Sequence, residues 1–162
     1  MALRVQTALA RAAAGAAGAQ AALADLGRVQ PALREDAQLY REWSRWDPPA
    51  EAAERLDRLT ALELAAGAPA TARSLALRAV ACRLSLDPAR AAAEAQALMP
   101  SISEGLQAGS HPAEVWYTLA AALRGHDRAL AAQATSRAQA WLAAASWPRG
   151  ARRAAIGPLT EV

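Results

Sequence analysis

Residues 111–145 read H-P-A-E-V-W-Y-T-L-A-A-A-L-R-G-H-D-R-A-L-A-A-Q-A-T-S-R-A-Q-A-W-L-A-A-A. This stretch decides the fold class. Apolar residues recur at helical spacing on either side of the polar triplet Gly125-His126-Asp127, and Pro112 stands where a helix can begin. The spacing predicts two amphipathic helices, about Pro112 to Arg124 and Asp127 to Ala145, joined by a tight turn. A connection that short makes the two helices antiparallel neighbours.

The rest of the chain has the same character. Its 162 residues suffice for one domain with a real core or for a short repeat array. Hydrophobic residues make up 54% of it, yet mean hydropathy is +0.00, because much of the apolar content is alanine. Alanine is the strongest helix former, and each alanine contact buries little area. Phenylalanine is absent and valine and isoleucine are few, so strands lack the residues they favour. The expected class is all-α. Residues 1–162 read as a single all-helical domain: an N-terminal helical hairpin over 1–46, middle helices over 48–107, the helix pair over 112–145 and a basic tail over 146–162.

Punctuation marks the helices. Asp47-Pro48, Asp87-Pro88 and His111-Pro112 each set a polar residue before a proline, the pattern of an N-cap followed by the first helical position. Gly67 after Leu62-Glu63-Leu64-Ala65-Ala66, and Gly125 after Leu123-Arg124, read as C-terminal stops. These marks predict helices at about Leu3 to Leu26, Pro31 to Trp46, Pro48 to Ala66 and Ala70 to Leu84. A further helix runs from Pro88 to a break at Pro100, where Ser101-Ile102-Ser103-Glu104 has capping-box spacing and starts a new turn. In the first helix Val5, Leu9, Ala12, Ala16, Ala19, Leu23 and Leu26 form a heptad-like seam. In the second, Leu33, Ala37, Tyr40 and Trp43 share a face, with Arg34, Arg41 and Arg45 opposite. Leu56, Leu59, Leu62 and Ala66 are expected inward on the third, and Ala72, Leu75, Ala79 and Cys82 form the stripe of the fourth. No exact internal repeat is visible.

The pair from Pro112 to Ala145 resembles a tetratricopeptide (TPR) unit. That family carries W-x2-L-G-x2-Y on its first helix and a small residue where the second helix crosses it, within about 34 residues. Trp116 and Leu119 match W-x2-L, Ala120 stands at the glycine position, Leu123 replaces the tyrosine, and Ala132 fills the small crossing position. The large aromatic usual further along is replaced near Ser136. The stretch through Trp141-Leu142 also resembles the C-terminal repeat region of large bacterial ATPase-containing transcriptional and signalling regulators. The resemblance implies antiparallel hairpins stacked as a short α-solenoid or helical bundle, and a non-catalytic role in protein–protein interaction, with the chain as a partner-sensing part of such a regulator. The basic tail departs from that pattern, and no ATPase motif is present, so the chain would be a fragment or a stand-alone derivative.

Charge and chemistry-bearing residues narrow the alternatives. The formal net charge is +3 and the pI is about 10.0, and every basic residue is arginine. Arg and Asp/Glu alternate along most of the chain, the pattern of a solvated helix surface. Without lysine there is neither a phosphate-binding P-loop nor Schiff-base chemistry. No nucleophile elbow and no paired metal-ligand spacing occur; His111 and His126 read as a helix-flanking and a turn histidine. Glu51, Glu54 and Asp57, interleaved with Arg55 and Arg58, read as i,i+4 pairs on a wet face. Tyr40, Trp43 and Trp46 supply either core bulk or a partner anchor, with core the favoured reading. The expected protein is therefore not an enzyme and uses no cofactor or metal. The candidate partner-binding residues are Arg34, Arg41, Arg45, Trp116, Tyr117 and Arg124, on a groove formed by the first helices of successive pairs. The alternative is a nucleic-acid- or anion-binding accessory domain using the Arg-rich faces.

Cys82 is the single cysteine, which excludes an intrachain disulfide framework and favours a reducing, cytoplasmic setting. No run of about 18 strongly apolar residues exists, so no membrane span is expected. The segment before Asp25 is Arg-bearing and acid-free. It reads either as a targeting segment or as part of the fold, with Arg11 weighing against secretion.

Overall fold

The computed structural model describes residues 35–45, 47–103 and 112–144. The N-terminal seam, Leu33, Arg34, Trp46, His111 and the basic tail lie outside these residues. All elements among the described residues are α-helices: α1 (Ala37–Trp43), α2 (Pro49–Ala65), α3 (Pro69–Arg83), α4 (Pro88–Ser103), α5 (Pro112–Leu123) and α6 (Arg128–Ala144).

Local chemistry sets most helix ends. The Leu39 N–H donates to Asp36 Oδ1 at 2.9 Å, which caps α1. Asp87 and Asp127 do the same for α4 and α6, accepting from the N–H groups of Arg90 and Leu130 at 3.0 Å each. Gly67 has φ +75 and ends α2. The Ala68 N–H reaches Glu63 O at 2.8 Å and the Gly67 N–H reaches Leu64 O at 3.1 Å, the paired bonds of a Schellman motif. The α3–α4 and α5–α6 turns repeat one hydrogen-bond pattern. The N–H groups of Leu86 and Asp87 converge on Arg83 O at 3.0 and 2.9 Å, and those of His126 and Asp127 converge on Leu123 O at 2.9 and 2.8 Å.

Three ends differ from the sequence reading. Asp47 does not cap α2. That helix has Pro48 at its N-cap with no side-chain bond, while Asp47 accepts from Tyr40 Oη at 2.8 Å and Trp43 Nε1 at 3.1 Å. Two buried aromatics needing acceptors outcompete a helix end that water can satisfy. Gly125 is not left-handed; Gly67 is the positive-φ residue among those described. Pro100 does not break α4, which continues to Ser103. Met99 and Ile102, buried on either side of the proline, hold the helix against the core, and Ser101 Oγ donates back to Leu98 O at 2.9 Å.

Each helix packs on its chain neighbours, α2 with α3 and α5 with α6 most extensively, and α3 also touches α1 and α5. The core has two main parts, and α3 contributes to both. Leu75, Ala79 and Cys82 meet Tyr40, Trp43, Leu56 and Leu59 of α1 and α2. Leu77 and Val80 meet Trp116, Leu119 and Leu123 of α5, together with small side chains of α4 and α6. The expected face of Ala37, Tyr40 and Trp43 and the stripe of Ala72, Leu75, Ala79 and Cys82 are buried. Leu62 is not: it is 61% exposed, and Ala66 is exposed too, because the last turn of α2 runs past the core. On α6 the small residues at the contact are Ala131, Ala134 and Ala138, while Ala132 faces outward. No helix among the described residues is long and apolar enough to cross a membrane.

Gly67 and Gly125 differ in backbone conformation. Neither has an atom within 4 Å of an added Cβ, so Gly67→Ala is expected to cost about 1 kcal/mol from φ strain alone. Gly125→Ala is expected to be neutral or to stabilise by about 0.5 kcal/mol. Urea denaturation of both variants checks the contrast.

Candidate functional site

The charged residues of α1, α3 and α5 meet in one cleft. Arg41, Glu42 and Arg45 come from α1 and the turn that follows it, Ser74 and Arg78 from α3, and Glu114 and Thr118 from α5. Leu77, Ala81 and Val115 supply its apolar lining, and its volume is about 30 Å³. That is room for about two waters.

Hydrogen bonds fix most of the cleft. Arg41 Nη1 donates to Ser74 Oγ at 2.8 Å, tying α1 to α3, and Arg41 also pairs with Glu42, its Nε lying 3.0 Å from Oε1. Arg45 bridges Glu114 of α5 at 3.3 Å and Glu42 at 3.6 Å. Ser44 Oγ donates to Arg41 O at 2.7 Å and accepts from Arg78 Nε at 3.0 Å. Burial pulls the Arg78 guanidinium below its ordinary range; Cys82 opposes this, Arg45 adds to the lowering, and the Glu114 and Glu42 carboxylates oppose it.

A second polar cluster ties α3 to α2 and α4. Arg83, 5% exposed, pairs with Asp57 of α2 and with Glu94 of α4, the latter at 2.8 Å. Arg90 closes the ring, 2.8 Å from Glu94 and 3.4 Å from Asp57. Asp57 is thus engaged across helices. The i,i+4 pairing expected along α2 is replaced by pairs to other segments, since Arg55 also reaches away, to Glu35 before α1 at 2.7 Å. Beside this ring an apolar groove of about 340 Å³ opens between α2, α3 and α4, lined by Ala61, Leu64, Ala76, Ala79, Ala97 and Leu98.

The structure distributes the candidate partner-binding residues unevenly. Arg41 and Arg45 line the cleft, on the side of α1 that faces α3 and α5. Arg34 lies outside the described residues. Trp116 is a core residue, 5% exposed, with the Arg137 guanidinium 4.6 Å over its ring. Tyr117 is half-buried against the core. Arg124 is exposed at the end of α5 remote from Glu114. Tyr40 and Trp43 are core, with Arg55 lying 5.3 Å over Tyr40. Sequence reasoning missed Arg78, Arg83 and Glu114. The signal for the two arginines was α3 itself, R-S-L-A-L-R-A-V-A-C-R, where apolar residues surround the arginines on more than one face.

Among the described residues no group of His, Cys, Asp and Glu is placed to hold a metal ion. Cys82 is buried, and desolvation pushes its thiol above the ordinary value of 9.0 against the opposing pull of Arg78 and Arg83. A buried, protonated thiol is a poor nucleophile.

Asp57→Asn with Glu94→Gln leaves Arg83 buried without a carboxylate, so the double variant is expected to lose about 3 kcal/mol in urea denaturation. Glu51→Gln, on the exposed face of α2, is expected to change stability by less than about 0.5 kcal/mol. For Cys82, the unfolded chain ionises near 9.0 while the folded thiol keeps its proton. Above that pH the unfolded state binds fewer protons, so stability falls as pH rises. Cys82→Ala is expected to lose less stability than the unaltered chain between pH 7 and about pH 10. A disulfide reagent is expected to modify Cys82 slowly in the native protein and quickly in urea.

Comparison of the chain with protein-family models, with curated proteins and with solved structures finds no match.

Proposed function

We propose that the chain is a non-catalytic, TPR-like helical-repeat module that binds a protein or peptide partner on the face shared by α1, α3 and α5. The observation that carries this reading is the contact of α3 with α1 and α5 in addition to its chain neighbours. Alternate helices in contact are what stacked helical hairpins produce, and in such arrays the first helices of successive pairs line the binding surface. The hydrogen-bond pattern shared by the α3–α4 and α5–α6 turns supports the same arrangement. So does the W-x2-L of α5, whose Trp116 and Leu119 are both buried as packing residues of a unit.

Chemistry on this face is recognition. Arg41, Arg45 and Arg78 stand with Glu42 and Glu114 in a cleft open enough for a side chain and too small for a cofactor. A place within a larger bacterial regulator, as its partner-sensing part, belongs to the same proposal and rests on the resemblance of residues 112–145. Nucleic-acid binding is the weaker reading, because Arg41, Arg45, Arg55, Arg83 and Arg90 are engaged with carboxylates.

A peptide selected against the full chain is expected to bind at least tenfold more weakly to Arg45→Glu, whose helical circular dichroism is unchanged, and equally to Arg58→Glu on the exposed side of α2. Trp116 is unsuitable for this test because its removal opens the core. Generic DNA or RNA is expected to bind weakly at physiological salt. Tight nucleic-acid binding that falls steeply with salt, or a selected peptide indifferent to Arg45→Glu, overturns the reading.

A further inference from the structure

Arg78 is the anomaly of the cleft. Arg41, Arg45 and Arg83 each have a carboxylate within ion-pair distance. Arg78 is more enclosed than a surface arginine, yet its one hydrogen bond among the described residues runs from Nε to Ser44 Oγ. A guanidinium carries five N–H donors, so the four on the Nη groups of this cleft-lining residue have no acceptor among the described residues. A desolvated charge left without a counter-ion costs stability in the unliganded protein. Glu42 and Glu114 act on Arg78 only through space: neither is within ion-pair distance of it, and they accept from Arg41 and Arg45.

The lining also leaves a charge open. Arg41, Arg45 and Arg78 against Glu42 and Glu114 leave one positive charge uncompensated. One monoanion restores neutrality; a phosphate dianion overshoots it and meets the two glutamates. The available space, about 30 Å³, matches two carboxylate oxygens in place of about two waters. A planar carboxylate fits the guanidinium fork with two parallel hydrogen bonds. Leu77, Ala81 and Val115 provide an apolar collar suited to a short aliphatic stem.

We propose that this cleft takes one side-chain carboxylate from an acidic residue of a partner peptide, held by the two Nη groups of Arg78 with Arg45 beside it. The proposal rests on the α1–α3–α5 face being the partner surface, and it adds what is recognised there. Ser44 acts as a positioning residue: its hydroxyl, anchored on Arg41 O, fixes the Arg78 fork through Nε.

The test follows the Arg78 Nε–Hε resonance of the full chain by NMR at constant ionic strength. The probes are sodium acetate, inorganic phosphate, and the end-blocked peptides Ac-Ala-Glu-Glu-Ala-amide and Ac-Ala-Gln-Gln-Ala-amide. Acetate and the glutamate peptide are expected to shift the resonance at millimolar concentration, and the glutamine peptide is expected to leave it in place. Arg78→Met is expected to keep or raise the thermal midpoint, to bind the glutamate peptide at least tenfold more weakly by calorimetry, and to be partly rescued by Arg78→Lys. Unchanged binding by Arg78→Met, equal binding of the glutamine peptide, or displacement of acetate by an equal concentration of phosphate overturns the proposal. So does a lowered midpoint in Arg78→Met, which would make Arg78 a structural residue, and so does a response to acetate with none to the glutamate peptide. A carboxylate response at Arg78 combined with a selected peptide indifferent to Arg45→Glu would sink the partner-face reading and leave the anion site standing, so the two failures are distinguishable.

Discussion

Helix α3 is enclosed by α1, α2, α4 and α5, and the rest of the structure depends on how its side chains are accommodated. A surface helix buries one stripe and solvates the other face. α3 has no such division: Leu75 and Cys82 enter one part of the core, and Leu77 and Val80 enter the other. Its polar residues therefore cannot all reach water. Ser74 and Arg83 are buried outright, at 2% and 5% exposure. Each has an interhelical partner, Ser74 to Arg41 of α1 and Arg83 to Asp57 of α2 and Glu94 of α4.

The two enclosed arginines of α3 show opposite solutions to the same constraint. Arg83 is compensated twice over, and Arg90 completes a ring that locks three helices together. Its desolvation is offset within the chain, so its role is architectural. Arg78 has one neutral hydrogen bond and, among the described residues, no carboxylate within ion-pair distance; Glu42 and Glu114 act on it only through space. Charge compensation thus differs between the two ends of the helix: the α2–α4 side carries a closed ring of ion pairs, and the α1–α5 side carries three arginines against two glutamates. The alanines of α4 and α6 permit this crowding. Ala91, Ala95, Ala134 and Ala138 sit where larger residues would hold the helices apart, and Trp116, Leu119 and Leu123 supply the bulk they lack.

What was legible in the sequence was local. Asp87 and Asp127 cap because a short side chain meets the N–H three residues on, and Gly67 ends α2 because a left-handed residue is needed there. The face of Ala37, Tyr40 and Trp43 was legible because helical periodicity alone places it. Competition between distant groups was not. Asp47 has the letters of a cap and serves two aromatic side chains instead. Pro100 has the letters of a break, and core contacts on both sides carry the helix through it. Leu62 keeps the period of an inward stripe beyond the point where α2 still has a neighbour to cover it. Of the candidate site, Arg41 and Arg45 were legible as an arginine stripe, while the facing Glu114 lies 69 residues away from Arg45 in sequence and Arg78 sits on a helix with no stripe to read. Trp116 had the signature of an anchor and is a core residue, because its indole faces α6 and Arg137.

Native-state hydrogen exchange tests the central place of α3 most directly. If the fold depends on α3, the amides of its middle turns, around Leu75 to Val80, exchange only through global unfolding. Their opening free energy then equals the stability from urea denaturation, while α1 and the end of α6 open more easily. Exchange of the α3 amides through a local opening well below the global free energy, with α5 and α6 still protected, would contradict the account.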